Sequence, residues 1–244
     1  MTALFLREIR LFLFSLMGYV VLVAFLVMLS LFLWILPGPS NILDAGFAGI
    51  DSLFAIVPYL FLFLVPAITM RMISEERKSG TLEMLLTKPI NEFQIVWAKY
   101  LAGVVLLLVA LLPGLVYVKT VYDLGAPEGN LDSGGTFGSF IGLMLLGSGF
   151  VSIGMLSSAL TENQLVAFVI GVFMCFVLFT GLESLGSIPF LAGAGAWLSN
   201  LSMNAHYLSL SRGVIDTRDV LYFLSLNALF LLGTRTALES RKWS

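Results

Sequence analysis

Leu11-Phe-Leu-Phe-Ser-Leu-Met-Gly-Tyr-Val-Val-Leu-Val-Ala-Phe-Leu-Val-Met-Leu-Ser-Leu-Phe-Leu-Trp-Ile-Leu36 carries no charge. The run exceeds the about 20 apolar residues that an α-helix needs to cross the hydrocarbon layer. A cleaved signal peptide has a shorter apolar core followed by small residues. This run instead holds Tyr19, Phe25, Phe32 and Trp34 and stops at Pro37-Gly38-Pro39, so it reads as a retained first membrane helix.

On its N-terminal side, residues 1–10 alternate Leu4, Phe5 and Ile9 with Arg7, Glu8 and Arg10, the pattern of an interfacial helix. On its C-terminal side, uncharged runs recur at 53–70, 101–118, 140–160, 165–182 and 220–233. With 11–36 they make six expected spans, and Pro58, Pro66 and Pro113 predict kinks within them. Composition agrees with this reading: 59% hydrophobic residues, 11% charged and a mean hydropathy of +0.99 leave too little polar sequence for a separate soluble domain. The expectation is one all-α, six-span membrane domain over residues 1–244.

Charge sets the expected orientation. Arg7, Arg10, Arg71, Arg77, Lys78, Lys88, Lys99, Arg235, Arg241 and Lys242 fall on one side of such a bundle, and only Lys119, Arg212 and Arg218 on the other. The positive-inside rule puts the first group, and both termini, in the cytoplasm. Residues 119–139 and 183–219 become external loops. The first is rich in Gly and Pro, and the second is apolar enough for short half-helices that dip into the outer leaflet.

Several chemistries are disfavoured. The six runs contain no Asp, Glu, Lys, Arg or His, the groups that proton carriers and intramembrane metalloenzymes place at membrane depth. His206 is the single histidine and Cys175 the single cysteine, which is too little for a metal cluster or an intrachain disulfide. Asn227 reads as a helix-to-helix hydrogen bonder, and Glu183, Asp216 and Asp219 as solvated loop or helix-end residues. A net charge of -2 gives no basic footprint for nucleic acid. No Gly-Lys-Ser/Thr phosphate loop occurs, and Ser133-Gly134-Gly135 is expected to be a turn.

The informative polar segment is Arg71-Met-Ile-Ser-Glu-Glu-Arg-Lys-Ser-Gly-Thr-Leu-Glu-Met-Leu-Leu-Thr-Lys-Pro-Ile90, followed by Asn91-Glu92-Phe93-Gln94. The second span is expected to continue through Glu75, Glu76, Arg77 and Lys78 until Ser79-Gly80 ends it. Thr81 can then cap a short helix with Glu83 in its first turn, Lys88 in its last and Pro89 as its stop. Leu82, Leu85 and Leu86 give that helix one apolar edge. Asn91 and Gln94 resemble a capping box opening the next helix toward Lys99. Spacing alone leaves two readings open: a helix that docks in a groove on a partner protein, or an amphipathic linker on the lipid headgroups.

The string from Ser74 to Ile90 resembles the cytoplasmic motif of ABC-2 type transporter permeases, in which acidic and basic residues precede Gly-Thr, Glu, a Leu pair and Pro. His206-Tyr-Leu-Ser-Leu-Ser-Arg-Gly-Val-Ile-Asp-Thr-Arg-Asp-Val220 and Leu238-Glu-Ser-Arg-Lys-Trp243 resemble, more narrowly, the gliding-motility-associated permease subunits. Lys88 stands where many relatives have a small residue.

The resemblance implies a type V exporter-like permease bundle in the bacterial inner membrane. It also implies a second permease subunit as partner, two cytoplasmic ABC ATPase subunits that hold ATP-Mg, and no cofactor or catalytic residue on this chain. Glu75, Glu76, Arg77, Lys78, Gly80, Thr81, Leu82, Glu83, Leu85, Leu86 and Lys88, within a coupling segment at 71–100, would pass ATPase closure into the bundle. A membrane anchor that recruits the ATPase without transport is the rival reading. An uncharged lining names no substrate.

Overall fold

The computed structural model describes residues 1–44, 46–47, 49–81, 91–188 and 192–240. The described residues are helical throughout their regular structure, without a strand. Six helical stretches are long and apolar enough to cross a membrane: Leu16–Ile35, Asp51–Lys78, Glu92–Leu124, Ser133–Leu160, Gln164–Gly186 and Thr217–Glu239.

Helix α1 (Thr2–Leu13) buries Leu4, Glu8 and Phe12 at successive i+4 positions. The uncharged run beginning at Leu11 is not one helix. It turns a corner at Ser15, whose hydroxyl accepts from Gly18 N at 2.9 Å and caps α2 (Leu16–Ser30). A Cβ on Gly18 would lie 2.0 Å from the Phe12 carbonyl oxygen, so only glycine permits so tight a corner. Helix α2 ends in a π-helical turn, Leu31–Ile35. Leu36, which precedes Pro37, is extended (ψ 124°).

Helix α3 (Asp51–Thr69) contains Pro58 and Pro66 and passes through a break into α4 (Ser74–Lys78). The Ser158 hydroxyl accepts from Ile73 N and Ser74 N, at 3.1 and 3.0 Å, and donates to Met70 O at 2.9 Å, supplying the partners the break would lack. Gly80, at φ +69°, ends the stretch. Helix α5 (Glu92–Leu111) starts at Asn91, whose side chain makes no capping bond, so the expected capping box does not form. Pro113 divides α5 from α6 (Gly114–Leu124).

The loop expected at 119–139 is much shorter. Helix α6 carries Lys119 and Asp123 to Leu124, and α7 (Ser133–Leu160) begins at Ser133 because Asp132 caps it through Gly135 N at 2.9 Å. Helix α8 (Gln164–Phe176), capped by Asn163, continues through a π-helical turn, Val177–Gly181, into α9 (Leu182–Gly186). Helices α10 (Ala192–Asn200) and α11 (Met203–Leu210) precede the last span, α12 (Thr217–Glu239), which Asp216 caps.

The core is built around α3 and α7, whose most apolar windows are 67% and 72% buried, against 22% for the first and fifth spans. Phe54 meets Phe140 at one end of this pair, with ring centroids 5.2 Å apart, and Met70 meets Ser158 at the other, so α3 and α7 run the same way. Asn227 Nδ2 donates to Ser148 Oγ at 2.9 Å and Gly233 faces Leu156, so α12 runs parallel to both. Helix α11 folds back along α7: Met203 packs on Gly149, and Ser202 Oγ donates to Phe179 O at 2.6 Å, keeping its polar atoms bonded within the protein. We call the face that carries α1, α4 and Thr161–Asn163 proximal and the opposite one distal.

Candidate functional site

The proximal face concentrates charge where α1, α4, α5 and the end of α7 converge. Lys99, on α5, is 0% exposed, and its ammonium donates to Glu8 Oε1 at 2.9 Å and to Met72 O at 2.6 Å. It also stands 2.9 Å from Glu76 Oε2, while Arg7 Nη2 lies 3.2 Å from Glu76 Oε1. The Glu76 contacts are ion pairs whose angles fall short of hydrogen bonds, which leaves Glu76 bound by charge rather than direction. Two carboxylates and two cations cancel within this group, the condition under which buried charge is tolerated.

The neighbouring Arg77 turns into α7. Its guanidinium donates to Ala159 O and approaches Glu162 Oε1 at 3.8 Å, with its side chain 5% exposed. Cationic capping of a helix C-terminus satisfies a carbonyl that has no partner of its own. Arg71 instead grips Glu75 from Nε at 2.9 Å and Nη2 at 3.2 Å on the surface.

The residues singled out in the sequence therefore divide. Glu75, Lys78 and Gly80 face outward, whereas Glu76 and Arg77 are internal struts that bind α4 to α1, α5 and α7. Thr81 is half-buried, its hydroxyl 2.9 Å from Ser79 Oγ and 3.4 Å from Glu76 O. Leu82, Glu83, Leu85, Leu86 and Lys88 lie outside the described residues. Glu8 and the burial of Lys99 were missed by sequence reasoning. The available signal was Glu8 itself, a carboxylate midway between Leu4 and Phe12 on an otherwise apolar stripe.

A second polar cluster lies on the distal face. His206 Nδ1 is 2.7 Å from Asp219 Oδ1, its Nε2 is 2.9 Å from Asn200 O, and its ring stacks on Tyr222 at 3.9 Å. Ser209 Oγ donates to Asp219 Oδ2, and Asn204 Nδ2 to Glu183 Oε2 at 2.8 Å. Asp219, expected to be solvated, is 8% exposed, and Glu183 is tied to α11. Ser209 bonds to Asp219 and not to the imidazole, so the cluster fastens α10 and α11 to α12 without activating a nucleophile. Among the described residues no group of His, Cys, Asp and Glu could hold a metal ion.

The sequence profile of the ABC-2 family transporter protein matches residues 39–232, from before α3 into the last turns of α12. The chain belongs to the ABC-2 transporter family. No match to it was found among curated proteins. An ABC-2 permease is a multi-pass membrane subunit, normally non-catalytic, and the family implies association with an ABC ATPase. The match starts beyond α1 and α2. In this ABC-2 permease, then, Glu8 and Arg7, from outside the family segment, complete an ion cluster whose other members, Glu76 and Lys99, lie inside it.

Proposed function

We propose that this chain is the permease subunit of an ATP-driven ABC-2 type transporter, moving or extracting a substrate with energy from separate cytoplasmic ATPase subunits. In this reading the proximal face and both termini are cytoplasmic, the membrane is the bacterial inner membrane, and a second permease copy or homologue completes the pore. The chain itself is not an enzyme and binds no nucleotide. The likeness to gliding-motility-associated permeases links the transporter to motility or the cell envelope.

The observation that carries the proposal is the two-sided character of α4. Its exposed side offers Glu75 and Lys78, with Gly80 just beyond its end, while Glu76 and Arg77 brace its other side against three helices. A docking element held this way moves with the bundle instead of folding away from it. In the sequence that follows, the spacing of Leu82, Leu85 and Leu86 suits a partner groove, with Thr81, Glu83 and Lys88 flanking it.

The test is co-purification of the permease with its ATPase. Replacing Leu85 and Leu86 together by Asp would bury unpaired charge at the contact and lower affinity by orders of magnitude, while the spans insert as before. Wild-type recovery of the ATPase with this variant would refute the docking assignment. Substrate-stimulated ATP turnover by the reconstituted complex separates a transporter from a scaffold that only recruits the ATPase.

A further inference from the structure

Beside the proximal ion cluster lies a cleft of ≈ 290 Å³ between α1 and the α3–α4 junction. Its rim carries Arg7 and Arg71, whose side chains are 45% and 32% exposed, with the exposed Leu11 at its edge, and its floor sets the buried apolar side chains of Phe12, Ile68 and Leu106 beside the carboxylates of Glu8 and Glu76. Phe14 and Leu16, 80% and 83% exposed at the α1–α2 corner, mark the nearby edge of the hydrocarbon layer. Guanidinium groups above apolar side chains at that depth match an amphiphile whose phosphate sits at headgroup level.

Neither arginine has to leave a buried charge stranded. Arg7, 45% exposed, has N–H donors free to meet a phosphate while its Nη2 stays 3.2 Å from Glu76 Oε1, so the two carboxylates and two cations of the buried group still cancel. Arg71 is paired with Glu75 in an exposed i,i+4 contact, the weakest class of ion pair, and Glu75 is 48% exposed. An incoming phosphate that takes Arg71 frees the Glu75 carboxylate to accept N–H bonds from a cation on the same ligand. Arg7, Arg71 and Lys99 balance Glu8, Glu75 and Glu76, so the cleft and the lysine behind it suit a ligand of zero net charge.

We propose that this cleft binds one phospholipid of the adjoining leaflet, its phosphodiester between Arg7 and Arg71, a primary ammonium on Glu75, and its acyl end over the apolar side chains. A quaternary ammonium has no N–H to give Glu75 and binds less well, and an anionic headgroup adds unbalanced charge. The site goes beyond the ABC-2 reading and its test contains no ATPase, so its failure would leave that reading intact.

The test is native mass spectrometry of the full chain in detergent with equimolar phosphatidylethanolamine, phosphatidylcholine and phosphatidylglycerol of matched chains. The ethanolamine lipid is expected to be retained at least about fivefold over the other two. The double variant Arg7→Gln, Arg71→Gln should lose the adduct, and Arg218→Gln, on the distal face, should keep it. Glu75→Gln, a surface change that leaves Arg71 free for phosphate, should still bind phospholipid but no longer prefer ethanolamine over choline. Soluble phosphoethanolamine, lacking acyl chains, should not compete. Equal retention of the ethanolamine and choline lipids by the wild type would overturn the proposal, as would an adduct indifferent to both arginines or one displaced by the soluble headgroup.

Discussion

Lys99, on the third membrane span, and Glu8, on the N-terminal helix, meet at 2.9 Å with 0% and 8% of their side chains exposed. The pair fixes an amphipathic helix, which would otherwise be held only by its apolar stripe, to the entrance of a span. Through Glu76 it also reaches the end of the second span. Severing it should therefore be felt in three elements at once.

Lys99→Met removes the cation shared by Glu8 and Glu76. Breaking one side of a buried pair costs about 3–5 kcal/mol, so the thermal midpoint of the detergent-solubilised chain should fall by many degrees. Adding Glu8→Gln and Glu76→Gln to this variant should restore most of the loss, since the uncompensated charges are then gone. A single variant that melts like the wild type would show that Lys99 is not structural.

Two glycines near the distal end of α7 should respond oppositely to alanine. Gly213, at φ +79°, faces Gly135, whose Cα would lie 2.4 Å from an added Cβ, so Gly213→Ala should destabilise by about 1–3 kcal/mol. At Gly134 the nearest atom would be 3.5 Å away, and Gly134→Ala in the first turn of α7 should be neutral or slightly stabilising. Denaturation curves of the two variants decide the point.

Asp219→Ala should loosen the distal face selectively. It strips His206 Nδ1 and Ser209 Oγ of their common acceptor, a loss of about 1–3 kcal/mol. Amide exchange should quicken in α10 and α11 while the α3–α7 core keeps its protection. Uniform acceleration would mean that the cluster supports the whole fold instead.

Single cysteines read orientation. With Cys175 buried and silent, cysteines at Ser79 and Ser240 should be shielded from an impermeant external thiol reagent, and one at Gly129 should react. Labelling at Ser79 from outside would invert the proposed topology.

The six spans were legible because lipid demands uninterrupted apolar length, which a sequence displays directly. Their interruptions were less so. Ser15 looked like one polar residue in a long run, yet with Gly18 it turns the corner between α1 and α2. Pro113 announced a kink, and the chain answers with two helices. Gly80 was readable as a terminator because a positive φ there needs no partner elsewhere. The charged residues from Glu75 to Lys78 were readable as a polar extension of the second span. Which of them point inward was not, since that depends on Glu8, Lys99 and Ala159, far along the chain. Asp219 looked solvated for the same reason: its burial depends on His206 and Ser209 of another helix.

The common direction of α3, α7 and α12 has an electrostatic consequence. Parallel helices align their peptide dipoles, so the three distal ends sum to a positive pole and the three proximal ends to a negative one. Aspartates stand at every distal end: Asp51 in the first turn of α3, Asp132 capping α7, and Asp216 with Asp219 at the start of α12. At the proximal end Arg77 takes the Ala159 carbonyl in the last turn of α7, and Arg77 and Lys78 close the stretch that continues α3. Each such match contributes about 0.3–1 kcal/mol at an exposed site. Arg77 and Lys78 thus serve two ends with one placement: cations counted in the proposed orientation of the chain also neutralise the field its three core helices create once they stand side by side.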